Sequence, residues 1–113
     1  MRLKSDIFVS ALLRRIFSDG SYGAVMRSGA AEAGAIFVRN RFRDGLENLY
    51  GPAPQAMFDD ADGGGRKFEI RLERAEHDEV SRLLDREANF DSDLWIVEIE
   101  VERPEAYLDI TPA

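Results

Sequence analysis

The sequence has no cysteine. That excludes disulfides and thiolate metal sites, and it fits a reducing compartment. Long apolar runs are missing too: no segment approaches the roughly 20 apolar residues that a membrane-spanning helix requires. The start, Met1-Arg2-Leu3-Lys4, has the charge of a signal peptide, but Asp6 interrupts it. The apolar run of residues 7–13 is short, and Arg14-Arg15 stand where a small-residue cleavage site belongs. The chain is therefore expected to be soluble and cytoplasmic. Basic residues are outnumbered, with 15 Lys and Arg against 22 Asp and Glu and a net charge of −7. That balance argues against broad nucleic-acid binding.

What is present is the material of one globular domain. The chain has 113 residues, 44% of them hydrophobic and 33% charged, enough for a single core and too few for two. The charge is unevenly spread, about +3 over residues 1–50 and −10 over residues 51–113. Basic and acidic halves of this kind complement each other within a fold or across a dimer.

The stretch of residues 93–101, Asp-Leu-Trp-Ile-Val-Glu-Ile-Glu-Val, anchors the reading. It is rich in β-branched and aromatic residues, with Trp95, Val97, Ile99 and Val101 on one face at period two. Glu98, Glu100 and Glu102 fall on the other face, while Leu94 and Ile96 make the first half apolar on both sides. Before it, Ser5 is the expected N-cap of an amphipathic helix. That helix carries Phe8, Val9, Leu12, Leu13, Ile16 and Phe17 on its apolar stripe, with a stop at Gly20. It reads as a core helix rather than a membrane-surface one, which would carry a broader basic face.

Residues 22–27 and 35–42 read as strands joined by a hairpin loop over residues 29–34. The glycines of that loop have a phosphate-loop spacing, but Ala35-Ile36 stand where Lys and Ser/Thr are needed. Asp44-Gly45 signals a turn, and residues 46–50 form a third strand. Residues 67–74 alternate as a fourth, with Phe68, Ile70 and Leu72 inward. Residues 76–89 form a helix buried through Val80, Leu83, Leu84 and Ala88. The tail docks by Tyr107, Leu108 and Ile110. The order α-β-β-β-β-α-β predicts an α+β fold, a largely antiparallel sheet of about five strands with two helices packed on one face.

Chemistry is thinly signalled. Arg39, Arg41 and Arg43 share a strand face at period two, a spacing that suits phosphate contacts to nucleic acid. The matching acidic row of Glu98, Glu100 and Glu102 offers cross-strand neutralisation instead. His77 and Ser81 lie one helical turn apart with Asp78 adjacent. Neighbours on one helix rarely orient each other as a Ser-His-acid site demands, so His77 reads as a helix-start residue. Asp59, Asp60 and Asp62 fail as a calcium loop, because Arg71 stands at the position that needs a bidentate Glu. No catalytic residue, metal site or cofactor is assigned.

The strongest partner-binding candidate is the proline-stiffened stretch after the third strand. Tyr50, Pro52, Pro54 and Gln55, with Met57 and Phe58 close behind, form a rigid, aromatic-flanked segment suited to holding another protein. Several segments also carry a family resemblance: Leu3-Lys4-Ser5-Asp6-Ile7, Val9 to Arg15, Ala33-Gly34-Ala35-Ile36, Tyr50-Gly51-Pro52-Ala53-Pro54-Gln55 and Phe90 to Glu98. On these the chain resembles a small family of alphaproteobacterial proteins, domain of unknown function 1491. The resemblance implies a bacterial cytosolic single-domain protein and brings no activity, cofactor or catalytic residue to carry over. The expected role is a non-enzymatic interaction or regulatory module that uses the loop after Tyr50 or an exposed edge strand to hold a protein partner, a second copy included. Nucleic-acid binding through the arginine stripe and a small-ligand enzyme are the alternatives.

Overall fold

The computed structural model describes residues 3–54 and 65–112. The elements are α1 (Ser5–Ser18), β1 (Tyr22–Arg27), β2 (Ile36–Arg41), β3 (Glu47–Pro52), β4 (Phe68–Ala75), α2 (His77–Phe90) and β5 (Trp95–Glu100). A short 3₁₀ turn, Pro104–Ala106, follows. The α+β class and the element order are those expected from the sequence. One sheet holds all five strands in the order β1-β5-β2-β3-β4. Every neighbouring pair is antiparallel except β2 with β5, which run parallel.

Several expectations are corrected by this arrangement. The first concerns the connection between β1 and β2, which is not a hairpin. β5 lies between the two strands, and the loop instead wraps the start of β5. Asp93 O accepts from Ala30 N at 2.8 Å, Trp95 N donates to Ala35 O at 2.7 Å, and Trp95 Nε1 donates to Ala30 O at 2.8 Å. A Cβ at Gly29 or Gly34 would stand 2.1 or 2.3 Å from Asp93 O, so backbone packing requires glycine there.

The second concerns the helices, which cover opposite faces of the sheet. α1 buries Val9, Leu12 and Ile16 against Ile36, Val38, Tyr50, Phe68, Trp95, Val97 and Ile99. α2 buries Val80 and Leu84 on the other side, against Phe37, Leu49 and Leu94, with Ile96 packed beside them. Alternate residues of β2 and β5 thus enter different cores. A central strand that is apolar on both sides needs a cover on each. The apolar pair Leu94 and Ile96 is the sequence trace of this requirement.

β4 shows the same division. Ile70 packs toward the α1 side and Leu72 toward the α2 side, because the register slips between Leu49 and Tyr50 and leaves Arg71 as an extra residue. The even alternation expected for Phe68, Ile70 and Leu72 is broken at that bulge.

The third correction is at the start of α1. Ser5 is the first helical residue, not the cap, and no side chain among the described residues caps the helix. Ser5 N and Asp6 N donate to Glu32 O at 3.1 Å and Ala31 O at 2.9 Å, so loop carbonyls satisfy the free N–H groups of the first turn. The Ser5 hydroxyl is buried, donates to Gly34 O at 2.6 Å and accepts from Arg66 Nη2 at 2.8 Å. At the far end of the chain the tail docks as expected, with Leu108 buried and Tyr107 and Ile110 packed against the α1-side core.

Candidate functional site

The arginine stripe and the lone histidine meet on the α2 side of the sheet, around a residue the sequence reading passed over. Glu47, the first residue of β3, is fully buried. Its Oε1 accepts from Arg39 Nε at 2.6 Å, and its Oε2 lies 2.7 Å from His77 Nδ1. Arg39 also donates to Ser81 Oγ at 3.1 Å and to His77 O at 3.2 Å. Its Nη2 sits 2.9 Å from His77 Nδ1 as well, but one ring nitrogen cannot accept from Arg39 and donate to Glu47 in the same tautomer. We assign the Nδ1 proton to the bond with the Glu47 carboxylate, because Arg39 Nη2 already has the His77 carbonyl. Burial pushes the Glu47 carboxyl up, but the hydrogen bonds from Arg39 and His77 outweigh it and hold the pKa below the usual value.

An imidazole oriented by a carboxylate is the arrangement a general base uses. The rest of such a site is not assembled here. Ser81 Oγ is engaged by Arg39, no hydrogen bond joins it to His77 among the described residues, and neither residue lines the cavity at the ends of β2 and β5. The cluster acts as a clamp that fixes the start of α2 to β2 and β3, with His77 at the helix start.

Arg41 is held by three carboxylates. Its guanidinium lies 3.5 Å from Glu47 Oε2, 3.4 Å from Glu98 Oε1 and 3.5 Å from Glu100 Oε2. β2 and β5 run in register with Arg39 opposite Glu98, so the acidic row neutralises the stripe through Arg41. Arg39, only 6% exposed, is closed to a phosphate backbone. Arg43 lies beyond the strand, exposed, with no ion pair among the described residues.

The proline stretch divides differently. Tyr50 is 4% exposed and belongs to the core under α1. Its hydroxyl accepts from Asn48 Nδ2 at 2.9 Å, and burial pushes its pKa up despite that bond. Pro52 is the last residue of β3 and half-buried, and Pro54 is exposed. Gln55, Met57 and Phe58 lie outside the described residues, as do Asp59, Asp60 and Asp62. Among the described residues, Pro54 is the surface this stretch offers.

Two features extend the sequence reading, which expected an exposed edge strand as an interaction surface without saying which strand it is. One is the outer edge of β1, where Tyr22, Val25 and Met26 are 48%, 38% and 58% exposed. The strand pairs with β5 on one side, and no hydrogen bond reaches its other side among the described residues. The sequence clue is the composition of Tyr-Gly-Ala-Val-Met-Arg, uncharged until its last residue. The other is a polar cavity of about 500 Å³ at the ends of β2 and β5, lined in part by Arg41, Phe42, Arg43, Glu102, Arg103 and Tyr107. Among the described residues, no cluster of His, Cys, Asp and Glu is placed to hold a metal. No helix among the described residues is long and apolar enough to cross a membrane.

These features define a small α+β protein built on one sheet, with a helix on each face and no catalytic constellation assembled among the described residues. The family model described as a protein of unknown function (DUF1491) matches residues 3–109, and the chain belongs to that family. The structure is similar to the solution structure of protein Atu0922 from A. tumefaciens, with a TM-score of 0.87 and 54% identity over 100% of this chain and 98% of that one. It is also similar to the crystal structure of a DUF1491 family protein from Caulobacter crescentus CB15, with a TM-score of 0.80 and 29% identity over 99% of this chain and 100% of that one. An NMR structure of a DUF1491 family protein from the same organism gives a TM-score of 0.79 and 30% identity over 99% of each chain. None of the curated proteins matches the sequence.

Proposed function

We propose that this chain is a cytoplasmic protein-interaction module that holds an extended segment of another polypeptide along β1. The observation that carries this reading is the open edge of β1 with its exposed apolar side chains Tyr22, Val25 and Met26. Unpaired strand N–H and C=O groups are a template for one more strand. An added strand takes affinity from main-chain hydrogen bonds and specificity from alternate side chains. Exposed apolar edges invite such pairing unless charge, proline or a covering segment blocks them. α1, which packs beside β1, also leaves Ile7 and Phe17 exposed. Pro54, just past the end of β3, is a secondary contact in this reading.

The test is a tagged pull-down from the native cytoplasm, comparing the parent chain with a Val25→Lys/Met26→Lys variant, and with and without nuclease. A partner protein recovered by the parent after nuclease treatment and lost by the variant supports the module. Hydrogen exchange on that complex is expected to show new protection of the β1 amides. Equal recovery by both chains, or exchange unchanged along β1, would sink it.

A further inference from the structure

The cavity of about 500 Å³ lies where the chain parts company with itself. β2 and β5 run parallel as neighbours, and at their carboxyl ends they leave in different directions. β2 turns through Phe42 and Gly45 into β3, its neighbour on the far side from β5. β5 continues through Val101 and the turn Pro104–Ala106 to the tail that packs under α1. In open sheets, ligand crevices form outside the carboxyl ends of strands at such points of divergence. Asn40 fixes the floor. Its side chain is buried, donates to Val101 O at 3.1 Å and accepts from Val101 N at 2.9 Å, locking the exit of β5 against β2.

The charges around this crevice are not all paired with one another. Arg41 is paired with Glu98 and Glu100, and Asp19 accepts the Tyr107 hydroxyl at 2.5 Å. Arg15 stacks 5.2 Å over the Tyr107 ring and donates to Ala106 O at 2.9 Å, which steadies that wall. What remains is Arg43, Arg103 and Glu102, exposed residues with no hydrogen bond or ion pair to their side chains among the described residues. Arg43 and Arg103 are thus two guanidiniums without a partner of their own among the described residues, in a lining that balances Arg41, Arg43 and Arg103 against Asp19, Glu100 and Glu102. A guanidinium fork matches the oxygens of a carboxylate or phosphate, and a crevice of this size suits a small molecule.

We propose that the crevice binds a small organic oxyanion. Arg43 and Arg103 grip a phosphate or carboxylate group, and the rings of Phe42 and Tyr107 flank the organic body. This site is independent of the β1 edge and stands whether or not a partner strand binds there.

The test is a titration of the isotope-labelled full chain, followed by amide NMR, with phenyl phosphate, benzoate and inorganic phosphate as separate probes. Saturable shifts confined to Ser21, Phe42, Arg43, Glu102 and Arg103 with an aromatic probe are expected. Tighter binding of phenyl phosphate than benzoate identifies a phosphate ligand, and the reverse identifies a carboxylate. Arg43→Ala/Arg103→Ala is expected to weaken the bound probe by roughly tenfold or more, the loss that accompanies removal of charge-assisted hydrogen bonds. Glu102→Gln is expected to hold or raise affinity, and Arg14→Ala, an exposed arginine outside the crevice, to leave it unchanged. The amide spectra report whether each variant is folded. Absence of saturable shifts with any probe at millimolar concentration overturns the proposal, as does a double variant that binds like the parent.

Discussion

β4 and β1 are the two outer strands of the same sheet, and their exposed sides are finished in opposite ways. β4 is charged along its length by Glu69, Arg71, Glu73 and Arg74, and its register slips twice against β3. The tail covers its start: Phe68 N donates to Asp109 O at 2.8 Å and Thr111 N to Phe68 O at 2.7 Å, with Lys67 and Asp109 paired at 2.7 Å. Charge, bulges and a covering segment are the recognised defences of an edge against unwanted pairing. β1 has one slip, between Val25 and Arg27, and one charge, Arg27. The difference teaches that an open edge is not imposed by this fold. One sequence closes the first edge with three devices and leaves the second nearly bare, and that contrast is why β1 carries the functional reading.

The contrast can be broken from the β4 side. The largest effect is expected from Glu47→Gln, which leaves the buried Arg39 without its carboxylate and loosens α2 from the sheet behind β4. Removing one partner of a buried pair costs about 3–5 kcal/mol, read as a lower denaturation midpoint. The same interaction sets an acid limit. The Glu47 pKa is depressed in the folded chain, so its contribution is complete above the ordinary carboxylate value. It is lost as pH falls through the lower folded value. Parent and Glu47→Gln stabilities should therefore converge in acid, which a pH series of urea melts checks.

Next in size is Leu108→Ala. Leu108 is buried, and trimming such a residue costs about 2–5 kcal/mol. It also detaches the tail from Phe68 and uncovers β4, so faster exchange at the Phe68 amide is expected, together with self-association of the folded protein by light scattering. If exchange at Phe68 does not change, the tail is not what closes that edge.

Smaller effects sharpen the comparison. Glu100→Gln removes a half-exposed partner of Arg41 and should lower stability by less than about 1 kcal/mol, an effect that fades with added salt. Val25→Lys with Met26→Lys should move stability by no more than about 0.5 kcal/mol, since both are surface substitutions. The same pair is expected to abolish partner capture. A large loss of stability in that variant would mark the β1 side chains as structural rather than available.

Much of the local structure was legible. All seven elements lie within two residues of their expected bounds, because periods of 2 and 3.6 are written in neighbouring residues. The inward face of Trp95, Val97 and Ile99 was legible for the same reason. The candidate sites were legible only in part. Arg39 and Arg41 were found, and their acidic partners were half found. Glu47 was missed although it shares a strand face with Leu49, since nothing local says that a glutamate beside a turn will be sealed under a helix. Tyr50 looked like part of a binding loop because an aromatic before Gly-Pro reads alike in a core and on a surface.

By itself the sequence determined the class, the element order and which residues share a face, all consequences of local periodicity and turn chemistry. Only the tertiary structure decided that β5 separates β1 from β2, that the helices take opposite faces, and that loop carbonyls cap α1. It also decided that the tail closes one edge of the sheet and leaves the other open. Those outcomes depend on which distant segments bury each other's apolar faces and satisfy each other's backbone groups, and that competition is settled only when the whole chain is compact.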